Sequence, residues 1–152
     1  MTEKSETPIA DMVMAFTTPK LEIRVRDPRP GDWAFISDSY RKSYRDQFPW
    51  VPLEQVYLET TKRLSRYRSG KNTRFLVACP PHEEDLILGW VCLGRRNLIH
   101  YCFVKQAFRG ARVAKRLCSY SSGQMLVVTH WSRVCEKINR LHRVLLYEPS
   151  KQ

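Results

Sequence analysis

The chain has 152 residues and a formal net charge of +11 at pH 7. This length suits one domain with one core, and no apolar run approaches the roughly twenty residues that a membrane-spanning helix needs. The first twenty residues contribute −1 to the charge, so residues 21–152 carry +12. Such an excess favours polyanionic ligands: a nucleotide-bearing cofactor, nucleic acid or an acidic partner surface.

Residues 1–20 have few large apolar side chains and no sustained periodicity, which predicts a disordered tail before a single domain over residues 21–152. The tail lacks the basic start and apolar core of a signal peptide. The five cysteines form no Cys-x-x-Cys pair, which favours free, buried thiols in a reducing compartment. We therefore expect a cytoplasmic protein. The four histidines are scattered singly, so we expect no metal site.

The first predicted elements are a strand and two helices. Leu21–Arg26 alternates apolar and charged residues, as a strand with one wet face does. Asp32 is placed to cap a helix, which the segment Phe48–Pro52 ends, and a second helix follows over residues 53–69. The predicted inward stripes are Trp33, Ile36, Tyr40 and Tyr44 in the first helix and Leu53, Val56, Tyr57, Thr60, Leu64 and Tyr67 in the second.

Three strands and a further helix are predicted next. Thr73–Cys79 and Leu86–Leu93 have the pattern of a hairpin, and Leu98–Val104 is rich in the aromatic and β-branched residues of a buried strand. A basic turn follows this last strand. Beyond the turn, the apolar positions that recur at helical spacing are Val113, Ala114, Leu117 and Cys118.

The chain closes with a strand, a helix and a strand. Residues 125–129 are apolar, as in a buried parallel strand, Ser132 can cap a helix, and residues 144–147 form a last strand. The full order is strand, two helices, three strands, helix, strand, helix, strand. It predicts a mixed α/β (α+β) fold.

The basic turn has the composition of a phosphate-binding loop. Between Lys105 and Arg116 there are five basic residues and no acidic one. The first turn of the following helix presents unpaired backbone N–H groups and the positive end of the helix dipole, which together favour a bound anion. The sequence therefore predicts a polyphosphate ligand.

The same turn resembles the signature of the GNAT (Gcn5-related) N-acyltransferases, Arg/Gln-x-x-Gly-x-Gly/Ala. The match is degenerate: Arg109 and Ala114 fit it, whereas Arg112 stands where the family has glycine. The resemblance implies that acetyl-CoA, or another acyl-CoA, is bound with backbone amides around its pyrophosphate. The cofactor residues that it implies are Arg109, Gly110, Ala111, Arg112, Ala114 and Lys115, with the amides of Phe103 and Val104 at the thioester.

The order of the predicted elements also resembles that of the GNAT fold. It implies a mixed, mostly antiparallel sheet of about six strands flanked by four helices, with the family's last strand missing. Asn139 stands where the family often has a tyrosine that protonates the departing thiolate. The small size resembles stand-alone acyltransferase-like proteins of phages and prophages.

The resemblance implies an N-acyltransferase, which needs a base for the attacking amine and an acid for the thiolate. Candidates for the base are His100, in the strand before the turn, and His130, directly after the next strand; a structural role for each stays open. Tyr44, Phe48 and Trp50 lie in the segment that lines the acceptor site in the family. These aromatic residues would stack on a base or cover a peptide, although core packing is their more common use.

Two classes of function follow. The first is an acyl-CoA-dependent N-acyltransferase whose amine acceptor belongs to a small molecule, a protein or a nucleic acid. The second is a non-catalytic GNAT scaffold, in which Arg112 and Asn139 mark lost catalysis and the basic surface binds nucleic acid or a partner. Binding of coenzyme A separates the two, because the enzyme requires it. We expect no membrane partner, and the sequence predicts no oligomeric state.

Overall fold

The computed structural model describes residues 20–96, 98–121, 126–128 and 145–147. In chain order the elements are β1 (Arg24–Arg26), α1 (Asp32–Gln47), α2 (Leu53–Ser69), β2 (Arg74–Cys79), β3 (Gly89–Leu93), β4 (Leu98–Val104), a 3₁₀-helix (Gln106–Phe108), α3 (Val113–Cys118), β5 (Leu126–Val128) and β6 (Leu145–Tyr147). None of the described helices is long and apolar enough to cross a membrane.

The six strands form one sheet in the order β1 to β6. The pairings from β1 to β4 are antiparallel, whereas β5 lies parallel to β4 and β6 parallel to β5. The predicted mixed, mostly antiparallel sheet of about six strands is thus confirmed. The predicted last helix, from Ser132, and nearly all of the predicted tail lie outside the described residues.

The sheet is buried on both faces because β2 and β3 are apolar at nearly every position. On one face, Leu76 and Val91 pack with Val113 and Leu117 of α3. The opposite face carries α1 and α2. Its buried residues are Phe75, Val77, Trp90 and Cys92 from the strands and Ile36, Tyr40, Leu64 and Tyr67 from the helices. Side chains along a strand alternate between the two faces, so each strand supplies both clusters.

Asp32 does not cap α1 as predicted. The residue in the cap position is Gly31, and Asp32 is the first residue of the helix. Its carboxylate accepts a hydrogen bond from the Arg29 N–H at 2.6 Å and pairs with Arg26, also at 2.6 Å. Both charged side chains are only 9% exposed. The cap prediction failed because the nearly buried guanidinium of Arg26 needs this carboxylate.

Two residues of the predicted inward stripe of α2 face solvent. Leu53 is 63% exposed and Tyr57 is 57% exposed, whereas Val56, Thr60 and Leu64 are buried as predicted. Leu53 stands in the first turn of the helix, directly after the exposed loop that ends α1, and Tyr57 lies at the margin of the buried stripe.

Candidate active site

The loop between β4 and α3, residues 105–112, contains two residues in the left-handed region of backbone conformation. Gly110 has φ +87°, and Arg112 has φ 65° and ψ 21°. Glycine adopts this region at little cost, whereas other residues pay about 1 kcal/mol or more. Arg112 therefore holds a conformation suited to glycine, the residue that the GNAT signature has at this position. The departure from the signature changes the side chain and leaves a glycine-like backbone.

The loop presents backbone N–H groups that the described part of the chain does not use. The first bond of α3 runs from the Arg116 N–H to the Arg112 carbonyl, at 3.0 Å. The N–H groups from Arg112 to Lys115 have no acceptor among the described residues. Because α3 spans only six residues, these amide groups contribute more to the attraction of an anion than the predicted helix dipole does.

The side chains of the loop fix it to the end of β4. The Arg109 Nε donates a hydrogen bond to the Val104 carbonyl at 3.2 Å. Ala111 and Phe108 pack against the apolar cluster on the α3 face. Arg112, like Arg109, is exposed. The loop is thus anchored from inside and open to solvent at its basic residues.

Strand β4 contains a bulge at His100. Cys92 pairs with Tyr101 and Leu93 pairs with Ile99, so the register between β3 and β4 shifts by one residue at His100. A bulge inserts one residue and interrupts the alternation of side chains. As a result, both His100 and Tyr101 contact the side chains of α1 and α2, through Tyr67 and Tyr40 respectively.

His100 is buried and stacked. Its ring lies 4.4 Å from the Tyr67 ring at an interplanar angle of 26°, and the residue is 8% exposed. Burial lowers the pKa of His100 below its usual value, so the imidazole is neutral at pH 7. The predicted base is therefore in the protonation state that a base needs, although its ring also fills core space.

The backbone at the end of β4 favours Val104 over Phe103 as the open amide. The Phe103 carbonyl points at β3, because a β-carbon on Gly89 would lie 2.4 Å from its oxygen. A strand residue directs its N–H and its carbonyl to the same neighbour. Val104 faces the opposite edge, where its carbonyl accepts Arg109. On that edge, the described residues of β5 pair only with Leu98 and Ile99.

The predicted acceptor residues lie together at the end of α1. The rings of Tyr44 and Phe48 are 4.9 Å apart, and those of Phe48 and Trp50 are 5.7 Å apart at 89°. Phe48 is 37% exposed and Trp50 is 74% exposed. These two rings are therefore not packed in the core. Core packing was the alternative interpretation of these residues in the sequence.

The comparisons with known proteins bear on the fold. No protein-family model and no curated protein matches the chain. A transcriptional regulator from Bacillus halodurans C-125 is 12% identical, with a TM-score of 0.55, over 80% of this chain and 90% of that one. PaiA N-acetyltransferase from Thermoplasma acidophilum, in complex with coenzyme A, is 15% identical over 81% and 75%, with a TM-score of 0.47. A ribosomal-protein-alanine N-acetyltransferase from Brucella melitensis biovar Abortus 2308 is 11% identical over 84% and 81%, with a TM-score of 0.47.

Identities this low bear on the fold alone, and of these three structures the Bacillus protein exceeds a TM-score of 0.5. The element order and the sheet topology are those that the GNAT resemblance implies. The chain has a GNAT-like fold. Within this GNAT-like fold, the signature segment lies in the β4–α3 loop, and His100 lies in the strand that leads to it. His130 and Asn139 lie outside the described residues.

The structure also brings together residues that the sequence did not single out. Tyr40 and Tyr101 meet edge to face at 4.9 Å, directly beside the bulge. Burial raises the pKa of Tyr40, and the neighbouring Arg63 offsets this only in part. On the other face of the sheet, the thiol of Cys118 is hydrogen-bonded to Cys102. Neither contact has a sequence signal, because each depends on the register of β4.

The described residues include four of the five cysteines, and they also test the prediction that no metal site is present. Cys79 and Cys92 are buried free thiols as predicted, whereas Cys102 and Cys118 are free but only partly buried. Cys135 lies outside the described residues. Across the described ranges, no three His, Cys, Asp or Glu side chains lie close enough together to hold a metal ion.

Proposed function

We propose that the protein is an acyl-CoA-dependent N-acyltransferase and that the β4–α3 loop binds the pyrophosphate of the cofactor. One observation carries the proposal. The backbone N–H groups from Arg112 to Lys115 are without an acceptor among the described residues, and the left-handed residues Gly110 and Arg112 lie where this run begins. Successive amides in such a turn form a concave site for an anion, and a pyrophosphate supplies several acceptor oxygens.

The side chains of the loop fit the same ligand. The segment from Lys105 to Arg116 has five cations and no carboxylate. The bond from the Arg109 Nε to β4 leaves the terminal guanidinium nitrogens for phosphate oxygens. We assign the pyrophosphate to Arg109, Gly110, Ala111, Arg112 and Ala114, and the ribose phosphate to Lys115.

Bound acyl-CoA supplies an activated thioester. The contribution of β4 is to orient an extended ligand along its edge at Val104, whose carbonyl faces away from β3, since a strand edge pairs readily with an extended chain. The Val104 amide lies on this edge and is our choice for the contact to the thioester carbonyl, ahead of the Phe103 amide. Developing negative charge on that oxygen would be stabilised by the N–H group.

Proton transfer from the amine requires a base near neutral pH. The lowered pKa keeps His100 neutral and able to accept a proton on its imidazole. We propose His100 as the base, with His130 as the alternative, and Asn139 as a hydrogen-bond donor to the departing thiolate. An amide donates a hydrogen bond but not a proton, so the thiolate would leave unprotonated or take its proton from water.

The acceptor amine is assigned to the side of the sheet that carries α1 and α2. Tyr44, Phe48 and Trp50 are in contact with one another and partly open to solvent there. Aromatic rings of this kind provide a flat apolar surface for an acceptor group. We therefore assign Tyr44, Phe48 and Trp50 as the acceptor-binding residues.

The test is a calorimetric titration with acetyl-CoA and with coenzyme A, on the wild type and on Arg109→Ala. We expect the wild type to bind the thioester and Arg109→Ala to bind it about tenfold more weakly, since a charge-assisted hydrogen bond to phosphate is removed. Arg95→Ala, an exposed arginine in the β3–β4 turn, is the matched control and should bind as the wild type does. Equal weakening in both variants would remove the assignment of the loop. Absence of binding by the wild type would favour the non-catalytic scaffold.

A further inference from the structure

The junction of α1 and α2 forms an exposed surface of alternating rings and guanidinium groups, here called the hairpin face. Three of its rings follow in contact from Tyr44 through Phe48 to Trp50. Trp50 is 74% exposed, and its ring is perpendicular to that of Phe48, so most of the indole is open to solvent. The hairpin face comprises Arg41, Tyr44, Phe48, Trp50, Tyr57 and Arg63.

Two arginines of the hairpin face each lie over a ring of the other helix. The Arg41 guanidinium lies 4.1 Å above the centre of the exposed Tyr57 ring, and Asp38 holds it there at 3.1 Å. The Arg63 guanidinium lies 5.8 Å from the centre of the Tyr44 ring. These contacts link α1 to α2 and place positive charge beside Tyr57 and Tyr44.

A small pocket lined by three cations, one carboxylate and a tyrosine adjoins the hairpin face. It has a volume of about 80 Å³ and shares Arg63 with the face; its other lining residues are Glu59, Lys62, Arg66 and Tyr67. Beyond the pocket the positive charge continues, because the segment from Lys62 to Arg74 contains six basic residues and no acidic one. An anionic group bound in the pocket would lie next to the rings.

We propose that the hairpin face binds single-stranded nucleic acid, with bases stacked on Trp50, Phe48 and Tyr57 and a backbone phosphate in the adjoining pocket. Exposed aromatic rings beside a positively charged groove are the two parts that such binding combines. A duplex fits less well, because its bases are stacked on one another and cannot reach the rings. Leu53 and Leu58 add apolar contact at the margin, yet the cations favour a polyanion over an apolar peptide.

The inference shares its aromatic residues with the proposed acceptor site but stands without acyltransferase activity. No residue of the β4–α3 loop takes part in it. Wild-type protein that binds single strands but not acetyl-CoA would leave this inference intact and remove the proposed function. The reverse result would remove this inference alone.

The test is fluorescence anisotropy with three labelled probes of about twelve units: an oligothymidylate, the corresponding duplex and an abasic strand. We expect the tightest binding to the oligothymidylate. Trp50→Ala should weaken that binding about tenfold, because the base can no longer stack on an aromatic ring. The control is Tyr120→Ala, which removes an exposed ring outside the hairpin face and should change nothing.

A second pair of variants separates charge from stacking. The double variant Lys62→Gln/Arg66→Gln should flatten the salt dependence of binding by about 0.7 in the logarithmic slope for each phosphate that the protein no longer neutralises. Lys20→Gln is its control, because Lys20 is exposed and precedes Leu21, which packs on the opposite face of the sheet, the α3 face. Equal affinity for the abasic strand and the oligothymidylate would overturn the proposal, and so would equal weakening in Trp50→Ala and Tyr120→Ala.

Discussion

Basic residues at the β1 edge and basic residues in the β4–α3 loop differ in whether the fold pairs them. Near β1, Arg24 and Arg29 both bind Glu84, and Arg26 binds Asp32 at 2.6 Å. In the part of the chain that the structure describes, no cation of the loop forms a salt bridge. The basic residues are therefore not one population. Those near β1 hold the fold together and are balanced by carboxylates, whereas those of the loop contribute to the net charge of +11.

Removing the carboxylate that pairs with Arg26 tests the role of charge at the β1 edge. In Asp32→Ala the Arg26 guanidinium keeps its charge in a site where the side chain is only 9% exposed. Breaking such a pair costs about 3 kcal/mol because the remaining charge is desolvated and unpaired. We expect the free energy of unfolding in urea to fall by that amount. The control is Asp38→Ala, whose carboxylate is 77% exposed and which should lose less than about 1 kcal/mol.

The same pair predicts how stability depends on pH. Burial alone would raise the pKa of Asp32, but the hydrogen bonds from Arg26 and from the Arg29 N–H outweigh it and lower the pKa. The unfolded chain therefore binds this proton more readily than the folded protein does. The contribution of Asp32 is present above its unfolded pKa, near 4, and is lost as the pH falls through the folded pKa. In Asp32→Ala this part of the acid sensitivity should be missing; an unchanged acid midpoint would contradict the assignment.

In the β4–α3 loop, backbone strain and charge coincide in Arg112. Replacing it with glycine should raise the free energy of unfolding by about 1 kcal/mol, because φ 65° is strained for a side chain and easy for glycine. Arg112→Ala removes the same charge but keeps the strain, so its stability should stay near that of the wild type. Thermal unfolding of the three proteins measures the difference.

Titration with acetyl-CoA then separates the two roles of Arg112. If the backbone amides bind the pyrophosphate, Arg112→Gly should bind as well as the wild type or better. A large loss of affinity in both Arg112→Gly and Arg112→Ala would mean that the guanidinium itself holds the phosphates. A loss in Arg112→Ala alone would instead implicate the backbone conformation.

The sequence predicted the fold where its patterns were local. Residues 53–69 and 98–104 form α2 and β4 with the predicted ends, since the helical stripe and the run of β-branched and aromatic residues are each contained in one segment. The parallel strand Leu126–Val128 was predicted from its apolar run. The segment Phe48–Pro52 ends α1 as predicted, because proline cannot continue a helix. These features need no knowledge of distant residues.

Features that depend on register or on distant partners were missed. Nothing in the sequence of β4 marks the bulge at His100, which places Tyr101 beside Tyr40. Asp32 has the residue type of a helix cap, yet its carboxylate pairs with Arg26 instead. The positive φ of Arg112 could not be predicted from the residue type, because arginine rarely adopts such a conformation. For the candidate site, the sequence therefore predicted the loop and its charge, while the orientation of the groups required the structure.

The smallest expected effect concerns the thiols behind the loop and inside the sheet. The hydrogen bond from Cys102 lowers the pKa of Cys118 despite burial, whereas burial raises the pKa of Cys92. Because the thiolate is the nucleophile, iodoacetamide should alkylate Cys118 before Cys92 in the native protein at pH 8. Peptide mass spectrometry over a time course measures the order. Cys102→Ser is the sharper variant, since a hydroxyl is a stronger hydrogen-bond donor than a thiol and should therefore change the rate at Cys118 and not at Cys92. Equal alkylation rates at the two cysteines would contradict this prediction. They would mean that the Cys118 thiol is as closed to solvent as the Cys92 thiol. The contrast between the loop and the rest of the fold would then hold only for the surface charges.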